Sequence, residues 1–189
     1  FILTNKVKEL KKGLGVEKLL VIGIGGSYLG GKAAIDFVKG SIDSFNDVMF
    51  AGINMSPSHY AQVERWLGKS KWAICVISKS GTTLEPALAF RHFKKLLIKQ
   101  VGKAQHNKYV VAVTDKSNGA LKTLADKEGY TTYTIPDGIG GRFSGITPVG
   151  LFPMAFAGMD IKKLLAGVRL GMKNNKAGTL TNPAYLYAA

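Results

Sequence analysis

Five short apolar runs alternate with stretches of helical periodicity along most of the chain, and this alternation restricts it to an α/β architecture built on a sheet. The runs are Lys18–Ile24, Asp47–Ile53, Trp72–Ile77, Lys108–Thr114 and Tyr130–Ile135. Between them the pattern predicts helices over Ser27–Val38, Pro57–Leu67, Leu84–Lys99 and Asn118–Lys127, each long enough to cross over between parallel neighbours. The third carries Ala89, Phe93, Leu96 and Leu97 at i, i+4, i+7 and i+8, an apolar stripe that would lie on a sheet. The expected fold is therefore α/β: a doubly wound five-stranded parallel sheet flanked by helices, in three layers.

After Pro136 the rhythm changes. Asp137-Gly-Ile-Gly-Gly-Arg-Phe-Ser-Gly145 holds four glycines in nine residues, too many for regular structure, and reads as an irregular loop. Thr147-Pro148 then supplies an N-cap and a proline at the first helical position. Asp160 starts a further helix with Ile161, Leu164, Leu165, Val168 and Met172 on one face. The tail from Asn182 carries no helix-ending signal.

A chain of 189 residues fits one domain of ordinary to large size. No apolar run approaches the roughly 20 residues of a membrane span, and Phe1-Ile-Leu-Thr-Asn-Lys6 lacks the layout of a signal peptide, so no membrane partner is expected. The single Cys75 lies in a run of buried type, where it can form no internal disulfide and reads as a small core residue. A reducing, cytoplasmic setting is the expectation.

The chain has 26 Lys plus Arg against 12 Asp plus Glu, a formal charge of +14 that attracts anions at long range. The lysines are scattered, as at Lys6, Lys8, Lys11, Lys12 and Lys94, Lys95, Lys99, Lys103, the spacing of solvated helix faces. No zinc-finger spacing, aromatic RNA-binding strand or lysine-rich tail accompanies them, so nucleic acid is not the expected partner.

The third run turns into a helix through Ile77-Ser-Lys-Ser-Gly-Thr-Thr-Leu-Glu85. Ser78, Ser80, Thr82 and Thr83 offer hydroxyls, Lys79 a charge, and the backbone around Gly81 free N–H groups beside a helix start, the donor set that a phosphate needs. The loop follows a strand, so it should sit at the carboxyl edge of the sheet, where open α/β folds bind ligands. The first run enters Gly23-Ile-Gly-Gly-Ser-Tyr-Leu-Gly-Gly31. A dinucleotide fingerprint fits poorly, because Tyr28 stands at its third glycine and Asn54 where an acidic residue would hold a ribose. Gly25, Gly26 and Ser27 suit a compact polar ligand better. In the third loop Arg142, between flexible glycines, can present a rigid fork of donors to a developing oxyanion.

At these three places, and at Thr147-Pro-Val-Gly-Leu-Phe-Pro153, the chain resembles the glucose-6-phosphate isomerases, in the first of their sugar-isomerase (SIS) domains, a flavodoxin-like three-layer fold. The matching stretches are Gly23–Gly30, Ser78–Glu85 and Gly140-Gly-Arg-Phe-Ser144, in the family's order. The resemblance implies that Ser78, Lys79, Ser80 and Thr83 bind a sugar phosphate, with Thr82 contributing to the loop. It places Gly26 and Ser27 near the sugar, and Gly141 and Arg142 beside the carbons where an enediolate forms. It implies interconversion of glucose 6-phosphate and fructose 6-phosphate by proton transfer between C1 and C2, a homodimer, and no metal or organic cofactor. On this reading residues 1–15 are a helical lead-in, 16–160 the SIS domain and 161–189 a helical segment leading to a second SIS domain.

The same chemistry needs a carboxylate base and an acid that opens the ring. The family's glutamate, histidine and C-terminal lysine come from beyond its first SIS domain, so this chain alone is expected to be inactive. Of Glu9, Glu17, Glu64, Glu85 and Glu128, only Glu85 lies near a ligand loop, where stabilising a helix start accounts for it. His59, His92 and His106 are expected at the surface, away from the loops. The alternative is a non-catalytic SIS module that senses phosphosugars, which would have no need of Gly140-Gly-Arg142.

Overall fold

The computed structural model describes residues 2–40, 47–176 and 178–188, so Phe1 and Ala189, the ends of the expected lead-in and final segments, lie outside the described residues. The chain forms two compact units, Phe1–Gly158 and Met159–Ala189.

In the first unit the five apolar runs become β1 (Lys18–Ile22), β2 (Val48–Ala51), β3 (Trp72–Ile77), β4 (Val110–Thr114) and β5 (Thr131–Thr134). They pair in parallel in the order β2-β1-β3-β4-β5, so the doubly wound fold is borne out. β3 and β4 are buried at every position, whereas β5 alternates half-buried and exposed residues as an edge strand does. Cys75 is wholly buried in β3, and its apolar surroundings push the thiol well above its ordinary range.

The crossovers are α2 (Leu29–Lys39), α3 (Pro57–Leu67), α4 (Leu84–Val101) and α5 (Ala120–Glu128), preceded by α1 (Ile2–Lys8) and followed by α6 (Pro148–Phe156). α1, α2 and α6 pack together on one face. Right-handed crossovers carry α3, α4 and α5 to the other. There Tyr60 and Phe93 bring their rings within 5.5 Å between α3 and α4.

The buried stripe of α4 is Pro86, Ala89, Phe90, Phe93 and Leu97, with Leu96 only half-buried. Phe90 is buried where Leu96 was expected to be, its ring edge-on to that of Tyr130 with centroids 6.2 Å apart. The expected start of the fourth strand, Lys108, instead lies in a 3₁₀ turn, His106–Tyr109.

The second unit holds α7 (Ile161–Asn174) and α8 (Pro183–Ala188). Asp160 caps α7 as expected, accepting from the Lys162 and Lys163 N–H groups at 3.0 and 3.1 Å. Among the described residues no helix is long and apolar enough to cross a membrane.

Candidate functional site

After β1 the chain moves outward to β2 and then returns past β1 to β3, so the strand order reverses between these two neighbours. The loops that leave their carboxyl ends diverge and open a crevice. Ser27 and the Ser78–Thr83 loop border it.

Ser78 is buried, and its N–H continues the sheet ladder to the Val113 carbonyl at 3.1 Å. The Gly81 N–H donates to Ser78 Oγ at 2.9 Å and the Thr82 N–H to Ser80 Oγ at 3.2 Å. Thr82 Oγ1 also donates to Ser80 Oγ, at 3.0 Å. The N–H groups around Gly81, expected to be free, are therefore taken up by the loop's own hydroxyls, since short polar side chains satisfy nearby backbone donors. Ser78 and Ser80 accept these bonds with oxygen and keep their protons for an outside acceptor. Thr83 takes the N-cap conformation of α4 but makes no capping bond. Its hydroxyl and the first N–H groups of α4 are the kind of donors with which a helix start can meet an anion.

Gly81 has φ of 73°, and a Cβ there would fall 2.2 Å from the Leu121 nitrogen, so no other residue fits. The Ala120 N–H donates to the Ser80 carbonyl at 2.9 Å. The start of α5 thereby props the loop from below.

Ser27, Ser78, Lys79, Ser80, Thr82 and Thr83 line one open cleft of about 630 Å³. Its remaining wall is the turn between β4 and α5, with Asp115, Asn118, Gly119 and Ala120, which the sequence reading passed over. The signal was present in Thr114-Asp-Lys-Ser-Asn-Gly119, which repeats the order of strand end, short polar loop and helix. The Ser117 and Asn118 N–H groups each donate to Asp115 Oδ1 at 3.0 Å. These bonds, with a smaller contribution from the Lys79 charge, hold the Asp115 carboxyl below its ordinary range.

Gly26, Gly141 and Arg142 are not in that lining. Gly26 and Gly141 nevertheless meet: a Cβ on Gly26 would stand 2.3 Å from the Gly141 carbonyl, so the first and third loops touch through bare backbone. The buried Ser144 hydroxyl, 2.6 Å from the Gly141 carbonyl and 3.2 Å from that of Gly26, ties them together. Sequence reasoning gave Ser144 no such part. The glycine-rich segment is also more ordered than expected. Gly141–Ile146 is a 3₁₀ turn, because Phe143 bonds back to Gly140, Thr147 to Ser144, and the Ser144 hydroxyl closes the turn. Arg142 is exposed and has no ion-pair partner among the described residues.

Two of the three histidines depart from expectation. His106 is only 5% exposed, its Nδ1 donating to the Lys103 carbonyl at 2.6 Å and its Nε2 standing 3.1 Å from Glu128 Oε2. Residues after α4 curl inward there, which periodicity cannot reveal. His59 is half-buried, its Nε2 3.2 Å from the Phe50 carbonyl at the end of β2. His92 is at the surface as expected, 2.6 Å from Glu64. Glu85 stands in the first turn of α4, outside the cleft lining. Among the described residues no glutamate or histidine lines the cleft, and none form a group suited to a metal ion.

Sheet order and cleft define an open parallel α/β protein with a polar crevice at the β1/β3 reversal. Residues 7–178 match the phosphoglucose isomerase family, and the chain belongs to that family. It is 51% identical over 175 residues to the glucose-6-phosphate isomerase of Mesoplasma florum, covering 92% of this chain and 41% of that protein. It is 48% identical over 181 residues to the glucose-6-phosphate isomerase of Bacillus cereus, covering 90% of this chain and 40% of the relative. Among solved structures, a hypothetical protein of Thermus thermophilus superposes with a TM-score of 0.80 at 33% identity, over 93% of this chain and 41% of the other. A glucose-6-phosphate isomerase of Chlamydia trachomatis superposes at 0.70 with 27% identity, over 93% and 34%. The chain thus spans about two fifths of the length of the curated relatives it matches.

Proposed function

We propose that this chain is the phosphosugar-holding part of an aldose–ketose isomerase that interconverts glucose 6-phosphate and fructose 6-phosphate. The observation that carries the proposal is the convergence of Ser27 and the Ser78–Thr83 loop on one cleft at the β1/β3 crevice, in a member of this family.

In this reading Ser78, Lys79, Ser80 and Thr83 hold the phosphate, while Thr82 orients the Ser80 hydroxyl. A dianion needs several short donors, and hydroxyl protons, one ammonium and the start of α4 supply them. Gly26 and Ser27 approach the sugar, and Gly141 and Arg142 stand beside C1 and C2. After ring opening a base takes the proton from C2 of the aldose, leaving an enediolate, and returns a proton at C1 while a proton passes from the C2 oxygen to the C1 oxygen, which gives the ketose. The Arg142 guanidinium offsets the charge that develops on the enediolate oxygens. Among the described residues no glutamate or histidine lines the cleft, and in this reading the base and the ring-opening acid are supplied from elsewhere in the working enzyme.

Residues 16–160 then act as an SIS domain, 1–15 as its helical lead-in, and 161–189 as a connection to a second SIS domain. The working enzyme is a cytoplasmic homodimer serving glycolysis and gluconeogenesis, without metal or organic cofactor.

Calorimetric titration of residues 1–189 with fructose 6-phosphate and with NAD, beside an isomerase assay, tests this. Fructose 6-phosphate should bind, NAD should not, and turnover should stay at background. Preference for NAD would sink the phosphosugar reading, and turnover free of full-length contaminant would sink the assignment of the proton carriers.

A further inference from the structure

On the far side of the phosphate loop, between α4 and α5, lies a second cavity of about 290 Å³. One face of α4 supplies Thr83, Pro86, Phe90, Arg91 and Lys94, successive turns of the same stripe, and α5 supplies Leu121 and Leu124. Val76 of β3 lies among them. The walls are mostly apolar, and among the described residues no carboxylate lines them.

The two cations differ in their commitments. Lys94 is bound by Glu128, whose Oε1 is 3.1 Å from its Nζ. Arg91 is exposed and has no carboxylate partner among the described residues. Ser78 and Thr83 border this cleft only along the wall it shares with the phosphate loop, and the rest of the lining is apolar apart from the two cations, so a polyanion seated there would lose more hydrogen bonds than one uncommitted guanidinium replaces. The cleft favours a ligand with one apolar body and one carboxylate that the guanidinium fork can grip. At roughly 30 Å³ per water-sized unit, the space takes about ten non-hydrogen atoms.

We propose that this cleft is a second ligand site, taking a small aryl or branched alkyl monocarboxylate, and that its occupancy is felt at the phosphate loop. The two cavities share Ser78, Thr83, Pro86 and Ala120 as a common wall. Leu121, which lines the apolar cleft, stands directly beneath Gly81. A ligand that presses on Leu121 therefore moves the residue on which the loop rests. The binding half of this inference does not depend on what the phosphate loop holds.

Phenylacetate, with ten non-hydrogen atoms by its formula, is the probe, and isosteric phenylacetamide the neutral control. Methyl and amide NMR of the intact protein should show saturable shifts at Leu121, Leu124 and the Gly81 N–H, with a dissociation constant of roughly 0.1–10 mM for a ligand of this size. The amide, and phenylacetate with the Arg91→Ala protein, should bind at least about fivefold more weakly, consistent with loss of a charge-assisted hydrogen bond. Leu124→Trp should fill the cleft and abolish the shifts. Equal binding of acid and amide overturns the ligand class. Absence of saturable shifts at Leu121 and Leu124, including exclusion of the probe by another part of the protein, overturns the site. Shifts at both leucines without any at Gly81 overturn the link to the loop.

Discussion

At the amino-terminal edge of the sheet His106, Glu128, Lys94 and Tyr130 satisfy one another, whereas at the carboxyl edge Thr83, Lys79 and Ser27 point polar groups at an open cleft. His106 Nε2 lies 3.1 Å from Glu128 and 3.4 Å from the Tyr130 hydroxyl, and Glu128 also binds Lys94. The Lys94 hydrogen bond holds the Glu128 carboxyl below its ordinary range against the opposing effect of burial. Burial pushes the Tyr130 hydroxyl up, although the Lys94 hydrogen bond works the other way. On the carboxyl edge the bonds within the loop instead leave hydroxyl protons unused. One edge satisfies its polar groups within the protein, while the other leaves some of them open to the cleft, and if the proposed phosphosugar reading holds, changes at the two edges should separate along that line.

The sharpest break in the comparison is Gly81→Val. A branched side chain at positive φ, aimed at the Leu121 backbone, should displace the loop and cost about 2–4 kcal/mol of stability, so both edges suffer. Chemical denaturation and fructose 6-phosphate titration measure it, and a native-like midpoint would show that α5 does not prop the loop. Next comes Ser78→Ala with Thr83→Ala, expected to weaken sugar-phosphate binding by about 1–3 kcal/mol through unmet ligand oxygens. Unchanged calorimetric affinity would remove the phosphate cradle.

His106→Ala should cost about 1–3 kcal/mol of stability by leaving the Lys103 carbonyl and Glu128 short of a partner, and should leave sugar-phosphate affinity within about twofold of the parent. A large loss of affinity would mean that the edges are coupled. The smallest effect is Glu128→Gln, about 0.3–1 kcal/mol at neutral pH for a partly exposed ion-pair network. The folded carboxyl binds its proton more weakly than the unfolded one. Its contribution is therefore present above the unfolded value of about 4.3 and is lost as pH falls through the depressed folded value. An acid-unfolding profile should be shallower in the variant below about pH 5. Identical profiles would remove Glu128 from the amino-edge network.

Along the chain, Trp72–Ile77 and Pro57–Leu67 keep their expected limits, because a continuous apolar run and a Ser-Pro helix start are local signals. The place of the Ser78–Thr83 loop at the strand-to-helix turn and on the cleft follows from the same kind of local signal, since its polar residues are neighbours in sequence. The Asp115–Asn118 turn was harder to read, because its polar residues look like any helix approach until β4 is placed beside β3. His106 misled for the opposite reason, since it lies in a polar stretch that Glu128 at the end of α5 and the Tyr130 ring beyond it cover.

Sequence alone determined the alternation of strands and helices, the buried character of the central strands and the polar side chains each loop offers. These follow from side-chain period and from backbone preferences that act over a few residues. Only the tertiary structure decided that Gly26 rests on Gly141, that Leu121 supports Gly81, and that the turn after β4 closes the cleft. Those are contacts between segments far apart in the chain, set by strand order and close packing. The chemistry of the cleft is written locally, but its shape is a property of the whole sheet.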